Sequence, residues 1–311
     1  MNPTIPRLRL GTRRSPLAMA QAEETRARLA SAHEIDPAHI EIVPVTASGD
    51  RIQDRALAEI GGKALWTKEL DHWLLAGEID FAVHSAKDVE TMRPEAIGIA
   101  AVLPREDVRD VLIGAASIAA LPPGAVVGTS APRRAAQLLH ARPDCRTIVF
   151  RGNVATRLAK LAAGEADATF LALAGLNRLS ETGTGHPLPA EEWLPAPSQA
   201  AILVECRAED ARTKAFLSAI DHEESRQAVL AERALLAALG GNCHSPIAAL
   251  SRHDGGDIVL RAALYSPDGA ERVEGEARFA AGDPEGPARL AADLLSRAVP
   301  AITVHFTGAP T

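Results

Sequence analysis

Three places in this 311-residue chain set arginine beside small polar residues where an apolar run gives way to a helical pattern. They are Thr12-Arg13-Arg14-Ser15, Thr129-Ser130-Ala131-Pro132-Arg133-Arg134, and Arg151-Gly152-Asn153 with Arg157 one turn on. A helix N-terminus presents unpaired N–H groups and the positive end of the macrodipole, so it attracts anions. Arginine adds forked, charge-assisted bonds that suit carboxylates, each about 1.5–3 kcal/mol when shielded from water. One such turn is an ordinary cap with a solvent-facing arginine. Three in one chain point to a ligand with several acidic groups. Neither G-x-x-x-x-G-K-[ST] nor G-x-G-x-x-G occurs, which disfavours nucleotides.

The other candidates are single residues. In Val83-His84-Ser85-Ala86-Lys87-Asp88-Val89 a carboxylate and a lysine follow a buried strand, at the strand end where α/β sheets bind ligands. Asp88 alone reads more readily as a helix cap or surface residue. Lys63, in Gly61-Gly62-Lys63, lies in a loop and alone reads as solvated. Cys243 follows Gly240-Gly241-Asn242 and precedes Pro246; alone it reads as a buried structural thiol, a reading its loop position weakens. With Cys145 and Cys206 it makes an odd count without a C-x-x-C pair, which argues against a disulfide framework. His244 is too close to Cys243 to form a standard chelating pair with it, and no zinc spacing occurs, so no metal is expected.

The elements that must position these residues follow a βαβ rhythm. Leu8 to Thr12, Ile40 to Val45, Phe81 to His84 and Ile97 to Leu103 read as strands. Ser15 to Ala32 reads as a helix with Ser15 at its N-cap and Pro16 at its first position, and Leu65 to Ala76 as a second. A second unit repeats the alternation: strands at Ala125 to Gly128, Thr147 to Phe150 and Ala168 to Leu173, with helices opening at Pro132 and after Asn153. After a Pro- and Gly-rich loop, Thr182 to Pro197, come a strand from Ala200 to Cys206 and a helix from Arg212 to Ile220. A third unit opens with a long helix from His222 to Leu239. Strands near Ile247 to Leu250 and Ile258 to Tyr265 follow, then a hairpin turn at Pro267-Asp268-Gly269 and a last helix, Gly286 to Ala298. The expected domains are 1–103 with 199–220 returning to it, 104–198, and 221–311 carrying Cys243. No internal sequence repeat is detected.

Composition narrows the class. Hydrophobic residues make up 47% and charged residues 23%, as in an ordinary globular protein. A net charge of −7 argues against a general nucleic-acid binder. No apolar run approaches the roughly 18 residues a bilayer requires, and Met1 to Arg14 has no apolar stretch, so no membrane partner and a cytoplasmic setting are expected.

In order and spacing, the motifs resemble those of the porphobilinogen deaminase (hydroxymethylbilane synthase) family almost from end to end. The matching stretches are Gly11 to Ala18, Gly61-Gly62-Lys63, His84 to Val89, Val127 to Ser130, Arg133-Arg134, Arg151 to Val154, Thr156 to Leu158, Leu173 to Leu176, Glu232-Arg233, and the Gly-rich turn before Cys243 with Pro246-Ile247. The resemblance implies an α/β fold of three domains: two like those of periplasmic binding proteins, with doubly wound mixed sheets flanking a cleft, and a smaller C-terminal α/β domain. It implies a monomeric transferase that condenses four porphobilinogens head-to-tail, releasing ammonia and then hydroxymethylbilane. A dipyrromethane cofactor joined to Cys243 by a thioether is the implied primer. Each pyrrole unit carries an acetate and a propionate, which agrees with the arginine-rich turns.

By the same resemblance Asp88 is the catalytic acid. Arg13, Ser15, Lys87, Thr129, Ser130, Arg133, Arg134, Arg151, Gly152 and Arg157 fall on cofactor-binding positions. Arg13, Ser15, Gln21, Lys63, Trp66, Arg151 and Arg157 fall on substrate-binding ones. The chain departs from the family at Ser198-Gln199-Ala200 (usually Gly-Gln-Gly), Ala64 and Trp66 (Gly and Phe), Glu90 (Pro) and His244 (Gln). If either replaced glycine served a positive φ, motion between the first two domains is expected to differ here.

Overall fold

The computed structural model describes residues 7–45, 67–242 and 244–306. Lys63, Ala64, Trp66 and Cys243 lie outside the described residues. In the first unit, β1 (Leu8–Arg13), β2 (Ile40–Val45), β3 (Phe81–Ser85), β4 (Ile97–Val102) and β10 (Ile202–Arg207) form a sheet in the order β2-β1-β3-β10-β4. β1 runs parallel to β2 and β3, and β10 runs antiparallel to β3 and β4. β3 is buried from Phe81 to His84, as befits a strand covered on both faces. Its side chains alternate: Phe81 and Val83 pack with Leu10, Leu29 and Ile202, and Ala82 with Leu70, Leu74 and Ile79.

Helix α1 (Pro16–Ala32) begins where the sequence indicates. The Ser15 side chain accepts a hydrogen bond from the Ala18 N–H at 3.3 Å, and Pro16 needs no partner at N1. Ala18, Gln21, Ala22, Thr25 and Leu29 form the buried stripe of α1. Helix α2 (Lys68–Leu75) ends one residue before the expected Ala76 and buries Leu70 and Leu74, while the expected start at Leu65 lies outside the described residues.

The second unit repeats this plan without a detectable sequence repeat. Strands β5 (Asp110–Ile113), β6 (Val126–Gly128), β7 (Arg146–Ile148), β8 (Ala168–Ala172) and β9 (His186–Pro187) lie in the order β7-β6-β8-β5-β9. β6 is parallel to β7 and β8, and β5 is antiparallel to β8. Helices α3 (Pro132–Ala141) and α4 (Val154–Ala162) follow β6 and β7, and α5 (Leu173–Arg178) follows β8. In each sheet the antiparallel member enters just after a crossing: β5 follows residue 105 and β10 follows residue 200. Both five-stranded sheets are therefore mixed, as the resemblance implies.

After α6 (Ala211–Leu217) and α7 (Glu223–Ala238), β11 (Ile247–Asp254), β12 (Asp257–Tyr265) and β13 (Arg272–Ala280) make an antiparallel meander. It packs through Leu260, Leu264 and Phe279 on α7 and on Leu290 of α8 (Glu285–Arg297).

The described residues divide into two compact units, 7–45 with 67–105 and 201–226, and 106–200 with those from 227 on. The second expected domain thus shares a unit with the third. Their contact is apolar, through Ala136 and Leu194 against Ala248, Ala263 and Tyr265, and backbone bonded, from Ala249 N–H to Pro195 O at 3.0 Å. Gly269 seals it. Its φ is +73°, and a Cβ there would lie 2.5 Å from His140 N and 2.6 Å from Ala136 O, so only glycine lets the hairpin reach the α3 backbone.

Candidate active site

Within the first unit, the ends of β1 and β3 and the start of α1 enclose a pocket lined by Arg13, Ser15, Gln21, Thr67, His84, Ser85 and Asp88. Gln21, almost fully buried, donates from Nε2 to Ser85 Oγ at 2.9 Å and ties α1 to the end of β3. Asp88 ends a 3-10 turn, Ala86–Asp88, held by Ala86 N–H to Ala201 O at 3.0 Å. Its half-buried carboxylate has no hydrogen bond or ion pair to any described residue. Lys87 beside it is half-buried. Of the residues expected on substrate or cofactor, Arg13, Ser15 and Gln21 thus share one pocket with Asp88, the expected catalytic acid.

The second unit assembles its own set at the ends of β6 and β7. Thr129 N–H donates to Ile148 O at 2.8 Å, joining the two strand ends. Arg157, on α4, donates from Nε to Gly152 O at 3.0 Å, and its Nη2 lies 3.5 Å from Ser130 Oγ. Asn153 caps α4 by accepting from Thr156 N–H at 2.9 Å. Gly152 has φ +110°, and a Cβ there would fall 2.6 Å from Thr156 Cγ2, so the turn whose carbonyl Arg157 grips requires glycine. Helix α3 has no side-chain cap, because Ala131 stands at its N-cap. Cations, hydroxyls and an uncapped helix start form a donor set that fits a polycarboxylate such as a dipyrromethane.

Arg133 and Arg134 depart from the expectation that they face a ligand. Both are about 95% buried and turn inward to Asp110, the fully buried first residue of β5. Arg133 Nη2 donates to Asp110 Oδ2 at 2.7 Å, and Arg134 donates from Nη2 to Oδ1 at 2.6 Å and from Nε to Oδ2 at 3.2 Å. Trp193 Nε1 and Gln199 Nε2 complete the shell at 3.0 and 2.8 Å. Arg133 Nη1 goes to Leu194 O and Arg134 Nη1 to Phe170 O, both at 3.0 Å. The cause is desolvation: a carboxylate removed from water needs countercharge and a full set of donors. Burial pulls the Arg133 pKa below its ordinary value, against the opposing pull of Asp110. The sequence gives no sign of Asp110.

The segment 198–200 has the backbone conformation on which the expectation of altered motion was conditioned. Ser198 and Ala200 have φ of +62° and +71°, where glycine is at ease and other residues are strained. The buried carboxylate of Glu232, on α7, accepts from Ser198 N–H at 2.6 Å and from Ser251 N–H and Oγ–H at 2.8 and 2.7 Å. The Arg178 guanidinium donates to Ala200 O at 3.2 Å.

Around position 243, Asn242 N–H donates to Ser245 Oγ, and Ser245 N–H returns to Asn242 O, both at 3.0 Å. Cys145 and Cys206 are buried free thiols whose pKa values burial pushes up, which makes them poor nucleophiles. Among the described residues no group of His, Cys, Asp and Glu is arranged to hold a metal. None of their helices is long and apolar enough to cross a membrane.

Residues 8–215 match the family model described as porphobilinogen deaminase, dipyromethane cofactor binding domain, and residues 226–297 match that of the porphobilinogen deaminase C-terminal domain. A curated porphobilinogen deaminase of Sphingopyxis alaskensis is 56% identical over 305 residues, covering 96% of both chains. That of Nitrobacter hamburgensis is 49% identical over 304 residues, again covering 96% of both. A chloroplastic porphobilinogen deaminase of Oryza sativa is 50% identical over 274 residues, 86% of this chain and 76% of that one. Among solved structures, a periplasmic His/Glu/Gln/Arg/opine family-binding protein from Silicibacter pomeroyi overlaps 68% of this chain and 88% of its own, at 18% identity and a TM-score of 0.38.

Proposed function

The chain belongs to the porphobilinogen deaminase family and condenses porphobilinogen into hydroxymethylbilane, and from that premise we propose that Asp88 is its catalytic carboxylate and Cys243 the anchor of its dipyrromethane. The observation that carries the first part is a carboxylate without a partner among the described residues, in a pocket it shares with Arg13, Ser15 and Gln21. A carboxylate that already had donors would have to give them up before it could serve a reacting group.

The chemistry asks for such a group twice. When ammonia leaves porphobilinogen, the remaining methylene is conjugated with the pyrrole nitrogen and the unit is cationic. After the new carbon–carbon bond forms, the attacking ring is cationic until it loses its α-proton. Asp88 offsets both charges at the pyrrole N–H and takes up or relays the proton. Arg13 and Ser15, with Lys63 and Trp66, hold the incoming ring by its acetate and propionate. Arg151, Arg157, Thr129, Ser130, Gly152 and Lys87 hold carboxylates already added. The inward-facing Arg133 and Arg134 support this work chiefly by fixing the start of α3. A bound dipyrromethane supplies the nucleophilic pyrrole carbon that starts the chain.

The Gly-rich turn ahead of Cys243, and two remaining thiols that are buried, support Cys243 as the attachment point. A thiolate is a soft nucleophile suited to an electrophilic methylene carbon. Intact mass should exceed the sequence mass by one dipyrrole, and the adduct should map to the peptide containing Cys243. Cys243→Ser should be poorly primed and nearly inactive. Finding unmodified Cys243 in fully active enzyme would overturn the assignment. The proposed setting is a cytoplasmic monomer, checked by light scattering on the purified protein.

A further inference from the structure

His84 lines the same pocket as Asp88, although it is only 6% exposed. Its Nε2 is buried, makes no regular hydrogen bond among the described residues, and stands 3.4 Å from Glu205 Oε2. Glu205, on β10, is fully buried. Arg93 grips it with two bonds of 2.9 Å, Nε to Oε1 and Nη2 to Oε2. The same guanidinium grips Asp71 of α2, Nη1 to Oδ2 at 3.0 Å and Nη2 to Oδ1 at 2.5 Å, while Glu90 lies 3.5 Å away. A chain of charges thus runs from the pocket through Glu205 and Arg93 to Asp71 on α2. Structural stability alone does not ask for it, since buried ion pairs are commonly replaced by apolar residues at no loss.

We propose that His84 is a positioning residue of the condensation, seated on Glu205 so that an uncharged ring forms part of the pocket while positive charge develops beside Asp88. The inference rests on the reading of Asp88 given above. Burial lowers the His84 pKa; Glu205 and Asp71 oppose this, and Arg93 and Arg13 add to it. The groups facing the imidazole are Glu205 from β10, Arg93, Asp71 from α2 and Arg13 from β1, with Asp88 in the same pocket. Burial thus favours the uncharged ring. In acid it becomes a cation within the pocket, where it repels the cationic reacting rings. Turnover then has an acid limb that belongs to His84, and Glu205 sets where it falls.

The test is the pH dependence of kcat and kcat/KM for the parent, His84→Gln, Glu205→Gln and Asp88→Asn, with thermal melting of each. In Glu205→Gln the anion that favours protonation is gone, so the acid limb should move down by about one pH unit. In His84→Gln the limb should also recede toward lower pH, since glutamine does not titrate. A role limited to packing would lower melting temperature and kcat while the limb stayed in place. An acid limb unchanged in both variants overturns the inference, and so does an unchanged limb in His84→Gln if Glu205→Gln fails to fold. Asp88→Asn turning over within tenfold of the parent would instead overturn the reading of Asp88, and the inference with it.

Discussion

Asp88 and Asp110 are carboxylates in two domains of one architecture, and they are treated in opposite ways. Asp110 is fully buried and receives five N–H bonds from Arg133, Arg134, Trp193 and Gln199. Asp88 is half-buried, lines a pocket, and receives none from any described residue. The first has spent its acceptor capacity on the fold, tying β5, α3 and the segment 193–199 together. The second keeps that capacity open, as its proposed catalytic role requires. How fully a carboxylate's lone pairs are occupied separates the two roles better than its burial or its distance from arginine.

That contrast can be broken by exchanging the losses. Asp110→Ala leaves two buried guanidinium groups without their shared anion, and should cost about 3–5 kcal/mol of stability. Chemical denaturation checks it. A variant as stable as the parent would mean that the arginines can turn out to solvent or ligand, and would restore them to the anion-binding set. Asp88→Asn should instead fold and melt like the parent and bind porphobilinogen, while kcat falls by about 10²–10³. Loss of stability without loss of turnover would reverse the assignment of the two carboxylates.

A smaller effect sharpens the same comparison from the side of Gln199. Its neighbours Ser198 and Ala200 hold left-handed backbone conformations, so Ser198→Gly and Ala200→Gly should each stabilise by about 0.5–1 kcal/mol once the extra freedom of unfolded glycine is deducted. A melting temperature that fell in both would show that Glu232 and Arg178 meet the strain in full, and that glycine adds only disorder.

The sequence made the frame legible because local signals agreed there. Ser15 with Pro16, and Asn153 after Gly152, mark helix starts that the structure keeps, and the buried run Phe81 to His84 marks a central strand. Residues 110–113 were missed as a strand because the run is four residues long, opens with an aspartate and has no periodicity to read. The helix Leu173–Arg178 was hidden for a related reason, since its six residues extend an apolar strand and begin without a side-chain cap. Within the site, Asp88 and the arginine turns stood out by motif. The inward turn of Arg133 and Arg134 did not, because it depends on a partner 23 and 24 positions away. Glu205, 112 positions from Arg93, is hidden for the same reason.

The close seat of Gly269 against α3 has a kinematic consequence. A hairpin that touches helix backbone has no side chain between the two surfaces to act as a bearing, so the meander cannot slide along α3 without parting from it. The turn holding Asn242 and Ser245 and the helix that begins at Pro132 therefore share one frame of reference. On the attachment proposed at Cys243, a product tethered in that frame gains length at its other end only, and each added ring shifts the growing tip, not the anchor.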